Sequence, residues 1–186
     1  MPGARRRACK NIFHLSAFAI VFRPKGARRV RQAGPRNRKL EETSMRFMML
    51  MIPKGYENAR PSAMPDPAAV AAMMKYNEDL QKAGVLLGLE GLHPPASGAR
   101  VTFAGGNPEV TEGPFPDTKE TLGGYWMIRV ASRDEAIAWA KRCPASANEI
   151  IEIRQVQEMA DFADPKYGDT AQRGAALGEE FRSKAG

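Results

Sequence analysis

Residues 112–131 read EGPFPDTKETLGGYWMIRVA, and the reading of this run decides the fold. Gly113, Pro114, Pro116, Gly123 and Gly124 break its first part too often for a helix, and its charges are too many for a buried strand. Its second part, residues 124–131 (GYWMIRVA), is apolar and aromatic and reads as the best strand in the chain. A charged turn therefore feeds straight into a core element. Just beyond, Ser132 or Asp134 caps a short helix over residues 135–142 that carries Ile137 and Trp139, and Pro144 closes it. Residues 150–156 (IIEIRQV) alternate apolar and polar, the pattern of a half-buried strand.

On the other side of the turn, residues 45–52 (MRFMMLMI) form a short, almost continuously apolar run stopped by Pro53, which favours a buried strand. A polar, proline-rich loop follows. Asp66 then supplies an N-cap acceptor and Pro67 a first helical residue for a helix over 67–83, ended by Gly84. Val70, Met73, Met74, Asn77, Leu80 and Gln81 share one face of it, with Met73 and Met74 as core filler. Residues 85–92 read as a strand weakened by Gly88 and Gly91 and ended by Pro94 and Pro95. Residues 101–103 and 109–111 are short strands joined by Ala104-Gly105-Gly106-Asn107, a hairpin signal. The resulting order is the βαββαβ pattern of a ferredoxin-like α+β fold. Such a sheet carries helices on one face, and its other face needs cover. A second copy is the usual cover, so a homodimer in the form of a dimeric α+β barrel is expected.

Charge divides the chain unevenly. Residues 1–44 hold twelve Lys/Arg against two acids, Glu41 and Glu42, whereas the remainder holds sixteen against nineteen. The basic character belongs to the leader, so the domain itself is not expected to bind nucleic acid. The leader has Arg5, Arg6 and Arg7 ahead of an apolar run over 12–22, too short to span a bilayer and interrupted by His14 and Ser16. It reads as an inert tail or a stretch ahead of a start at Met45; a targeting segment and a functional basic arm are the alternatives. The domain is expected over 45–162. A polar tail follows over 163–186, with a helix near 170–183.

The two cysteines are Cys9, in the leader, and Cys143. One cysteine in the domain makes no disulfide, and no Cys/His metal set is spaced along it. Cys143 reads as a packed or half-exposed thiol rather than a nucleophile. No long apolar run is present, so a cytoplasmic protein without a membrane partner is expected. No phosphate-binding loop, dinucleotide fingerprint, nucleophile elbow or zinc-protease motif occurs, and no cofactor is expected.

The run TEGPFPDTKETLGGYWMI resembles the signature of the YCII-related (YciI-like, DGPF-domain) family. Gly113, Pro114, Phe115, Lys119, Glu120, Gly123, Gly124 and Tyr125 match it outright, while Glu112 and Asp117 stand in for its two acids. Residues 76–94, 134–144 and 152–162 support the resemblance, which covers about 45–162. It implies a dimeric α+β barrel. Some relatives carry a His on the first helix facing an Asp on the second strand, proposed as a catalytic pair. The first helix here has no histidine; Glu90 takes the acid's region, with Tyr76 or Asn77 on the helix side. The resemblance also implies a link to extracytoplasmic-function sigma factors.

Two functional readings result. In the first, a cleft takes a small polar molecule. Glu90 and His93, the domain's single histidine, act there as acid and base, and Tyr76, Glu112, Phe115, Asp117, Lys119 and Glu120 surround the ligand. Glu90 serves in that way if it points inward; pointing outward, it is a solvated strand residue. In the second, the turn is an interface latch in a non-catalytic regulatory module, with Lys119 paired to Glu112 or Glu120. Gly123-Gly124 allows close approach of a ligand or of a partner subunit. Trp126, Trp139 and Tyr125 read as core rather than as a base-stacking platform.

Overall fold

The computed structural model describes residues 44–115, 118–162 and 164–185; the leader up to residue 43 and Asp117 lie outside them. The fold is a mixed α+β one. Its main sheet consists of β1 (Met45–Ile52), β2 (Leu86–Gly91), β5 (Gly124–Val130) and β6 (Ile150–Gln155). The four are antiparallel neighbours in the order β2-β5-β1-β6. A separate hairpin pairs β3 (Ala99–Thr102) with β4 (Glu109–Glu112). The helices are α1 (Pro67–Lys82), α2 (Arg133–Ala140) and α3 (Gly168–Ala185). Each expected strand and helix is present, displaced by a residue or two at its ends.

Local chemistry explains the helix boundaries. Asp66 Oδ1 accepts from the backbone N–H groups of Ala68 (2.9 Å) and Ala69 (3.1 Å), and Pro67 starts α1 without a donor to satisfy. Gly84, at φ +73°, turns the chain out of the helix. At α2 the cap is Ser132 and not Asp134. Ser132 Oγ accepts from Glu135 N–H at 3.1 Å, while Glu135 Oε2 accepts from Ala131 N–H at 2.9 Å, a reciprocal box.

Strand alternation then sorts the side chains. Phe47, Met49 and Met51 of β1 and Trp126, Ile128 and Val130 of β5 are buried on one sheet face, against Met73, Tyr76 and Leu80 of α1 and Ala136 of α2. Each large side chain removed from water there contributes roughly 1.5–3 kcal/mol. Trp126 is fully buried, and its indole Nε1–H donates to Asn77 Oδ1 at 2.8 Å. Tyr76 packs edge-on against it, ring centroids 5.7 Å apart.

Among the described residues, the core helices pack on this one face and the opposite face is left open. Met48, Leu50, Tyr125 and Met127 lie there half-buried, framed by the exposed Glu90, Arg129, Glu152 and Arg154. Register sets two rows across the four strands: Glu90–Tyr125–Leu50–Glu152, and Gly88–Met127–Met48–Arg154. This explains why β1 reads as apolar almost throughout. Its odd residues fill the core, and its even ones make an apolar centre on the open face.

Candidate functional site

Three segments meet at one end of the main sheet, one of them the signature run. Pairing places Gly91 of β2 opposite Gly124 of β5, and Met51 of β1 opposite the same Gly124. Just beyond, Gly123 N–H donates to Met51 O (2.9 Å) and Leu92 N–H donates to Gly123 O (2.8 Å). The end of β1, the end of β2 and the start of β5 are thus tied together. Tyr56, buried above this end, donates its hydroxyl to Leu92 O at 2.5 Å, and burial pushes its phenol pKa up.

The two key glycines answer to contacts within the chain. A Cβ on Gly123 would lie 2.5 Å from Pro53 Cγ, so the close approach the sequence demands is to Pro53. A Cβ on Gly113 would fall 1.7 Å from the Pro95 carbonyl oxygen. Gly113 N–H donates to Gly98 O at 2.8 Å, and the Gly113–Pro114 peptide is cis. The turn is therefore built against the short helical turn at Pro95–Ser97.

The candidate side chains are distributed as follows. Glu90 is exposed on the open face beside Tyr125, the outward alternative. His93 follows Leu92 at the same end and is exposed, as are Lys119 and Glu120 in the loop that leads to Gly123. Glu112 is exposed at the end of β4. The ion pairs of the described residues lie elsewhere, among them Arg46–Glu158 and Arg142–Asp79, so Lys119 has no carboxylate latch among them. Phe115 is half-buried beneath the Arg100 guanidinium, 4.0 Å from its centroid, and Arg100 Nη2 donates to Thr118 Oγ1 at 2.6 Å. Phe115 thus anchors the turn to the hairpin.

Tyr76 sits apart from this group. It is buried in the core and its hydroxyl donates to Trp139 O at 3.0 Å, with burial raising its pKa. One edge of it borders an open cleft of about 260 Å³ with Lys75, Asp79 and Arg142. Nearby, burial pushes the half-buried Cys143 thiol up to about 12, a poorly nucleophilic state at neutral pH. Among the described residues no cluster of three or more His, Cys, Asp or Glu could hold a metal ion. No helix among them is long and apolar enough to cross a membrane.

Sequence reasoning missed Tyr56, Pro53 and Pro95, which fix the signature glycines, because nothing in their local sequence marks them as partners of residues far along the chain. It also placed Tyr125 in the core. Alternation carried the correct signal: with Trp126 inward, its neighbour faces the open side.

An antiparallel sheet with a tied, glycine-dependent charged turn at one end defines the class of domain. The chain belongs to the YCII-related domain family, whose model matches residues 45–160. It is also similar to an uncharacterized protein of Rhizobium meliloti (strain 1021), 38% identical over 71 residues, which is 38% of this chain and 54% of that relative. The chain thus spans about half the length of the curated relative it matches.

Proposed function

We propose that the protein is a homodimeric, ferredoxin-like α+β barrel that binds a small polar molecule at the tied end of its sheet. Glu90 and His93 are the acid–base candidates, for chemistry of lyase, isomerase or hydrolase type. Glu112, Lys119 and Glu120 form the charged mouth, with Asp117 between them in sequence, and Phe115 anchors its turn; Tyr76 is left to the core. One observation carries the reading: hydrogen bonds from Gly123 to Met51 and from Leu92 to Gly123 bring the Glu90–His93 segment and the Lys119–Glu120 loop to one place. Charged side chains on loops held by a rigid sheet are a common basis for function. The open apolar face supports the pairing of two sheets, since exposed apolar patches on soluble proteins commonly mark interfaces.

The test is native mass spectrometry of the full chain purified gently from cells, beside Glu90→Gln and Lys119→Ala. A dimer with a reproducible extra mass that both variants lose is the expected result. A dimer that is always empty, and that gains no thermal stability from any member of a small-metabolite library, refutes the ligand reading.

A second reading has an observation of its own. Glu90, His93, Lys119 and Glu120 are all exposed, as befits a surface that meets a macromolecule. In that reading the dimer is a non-catalytic regulatory module linked to a sigma factor. Retention of a sigma factor by the wild type, lost in Lys119→Glu, would favour it.

A further inference from the structure

The β3–β4 hairpin is turned inside out. Val101 and Val110 are directly paired, as are Arg100 and Thr111. Alternation therefore puts Ala99, Val101 and Val110 on one face, with Phe103 next in that series, and Arg100, Thr102, Glu109 and Thr111 on the other. The polar face is the one turned toward the chain's own turn, because Arg100 lies over Phe115 and donates to Thr118. The apolar face looks away from the domain. Val101 is 54% exposed, Phe103 70% and Val110 65%. All eight strand residues are exposed, so the hairpin has no core of its own. An isolated hairpin is only marginally stable in water.

We infer that this hairpin is a docking arm, and that its apolar face seats on a second copy of the chain. The inference rests on the dimer reading and deepens it. Area favours a second copy as the occupant. The open sheet face spans four strands of six to eight residues. That is roughly 20 Å by 20 Å, or about 400 Å² in plan. Met48, Leu50, Tyr125 and Met127 form its apolar centre, and the paired Ile52 and Ile150 continue it at one end. A specific interface buries about 800 Å² of accessible surface on each partner. Side-chain relief raises the sheet's share toward the low end of that range, and the exposed Val101, Phe103 and Val110 of the arm extend it. Glu112 lies on the arm's apolar face, opposite Ala99. A partner seated on the arm therefore closes over the residues that begin the charged turn, and the candidate site is incomplete in one protomer.

The experiment is sedimentation velocity of the full chain over a concentration series, with Val101→Asp and Phe103→Asp on the apolar face, Thr102→Asp on the polar face, and Met48→Glu on the open sheet face. Circular dichroism confirms that each remains folded. The expected result is a wild-type dimer whose dissociation constant rises roughly 30-fold or more in the two apolar-face variants. Thr102→Asp should change it by less than about threefold. A dimer broken by Met48→Glu but untouched by Val101→Asp and Phe103→Asp overturns the arm while leaving the dimer standing, and assigns the arm to a different protein. Equal weakening by Thr102→Asp also overturns it, since a seated face must be distinguishable from its reverse. A wild-type chain that is monomeric throughout overturns the arm and the dimer together.

Discussion

Gly123→Ala adds a single methyl group at the point where the ends of β1 and β2 are tied. Its carbon would lie 2.5 Å from Pro53 Cγ and 2.9 Å from Cδ. Optimal carbon–carbon contact is about 3.5–4.0 Å, so something must move by about 1 Å. The pyrrolidine ring cannot rotate aside, and Pro53 is buried. Gly123 cannot shift freely either, because its N–H and its carbonyl are both bonded, to Met51 O at 2.9 Å and to Leu92 N at 2.8 Å. Overpacking of this kind costs about 1–3 kcal/mol. Weakening one of the two hydrogen bonds adds about 0.5–1.5 kcal/mol. The expected loss is about 2–4 kcal/mol, or roughly 5–15 °C in Tm at this chain length. Urea unfolding followed by the fluorescence of buried Trp126 measures it, with Gly98→Ala as the control. A Cβ on Gly98 meets only Pro95 O at 3.6 Å, an ordinary contact, so that variant should be neutral or slightly stabilising. A Gly123→Ala protein as stable as the wild type would refute the claim that this glycine is set by Pro53.

Tyr76→Phe removes the hydroxyl that bonds to Trp139 O and keeps the ring packing. A loss of about 0.5–1.5 kcal/mol is expected in the same urea assay, with ligand retention unchanged. Loss of ligand without loss of stability would return Tyr76 to the site. Burial raises the Cys143 thiol from its ordinary 9.0 to about 12. The folded state therefore holds this proton more tightly than the unfolded one, and its contribution is complete below about pH 9 and is lost as pH rises toward 12. Stability should fall across that window less steeply in Cys143→Ala, and a thiol reagent at neutral pH should modify Cys143 readily only after unfolding, in a Cys9→Ser background. Arg100→Ala frees the turn from the hairpin. Less than about 1 kcal/mol of global stability should go with it, while amide exchange in residues 113–122 quickens.

Much of the architecture was legible because its signals are local. Asp66-Pro67 and Gly84 bound α1, and Ser132 with Glu135 starts α2, through hydrogen bonds spanning at most four residues. Alternation in residues 150–156 and the apolar run of β1 report burial directly. The charged turn and its glycines also identified the YCII-related family, since that constellation is unusual in both spacing and composition.

What the amino-acid sequence could not express is which distant residue each special position answers to. Gly123 announces close approach, but only the folded chain shows that Pro53 is what it approaches, and that Gly113 sits against Pro95. Glu90 had two open orientations until the pairing of β2 with β5 put Leu89 in the core and Glu90 on the open face. Arg100 and Phe115 lie fifteen residues apart, with no periodicity to connect them, yet their stacking decides which side of the hairpin looks outward. Patterning records whether a side chain leaves water, a property of one residue and its near neighbours. It does not record the partner it meets there, because that depends on chain crossings tens of residues away, which are settled only when the sheet closes.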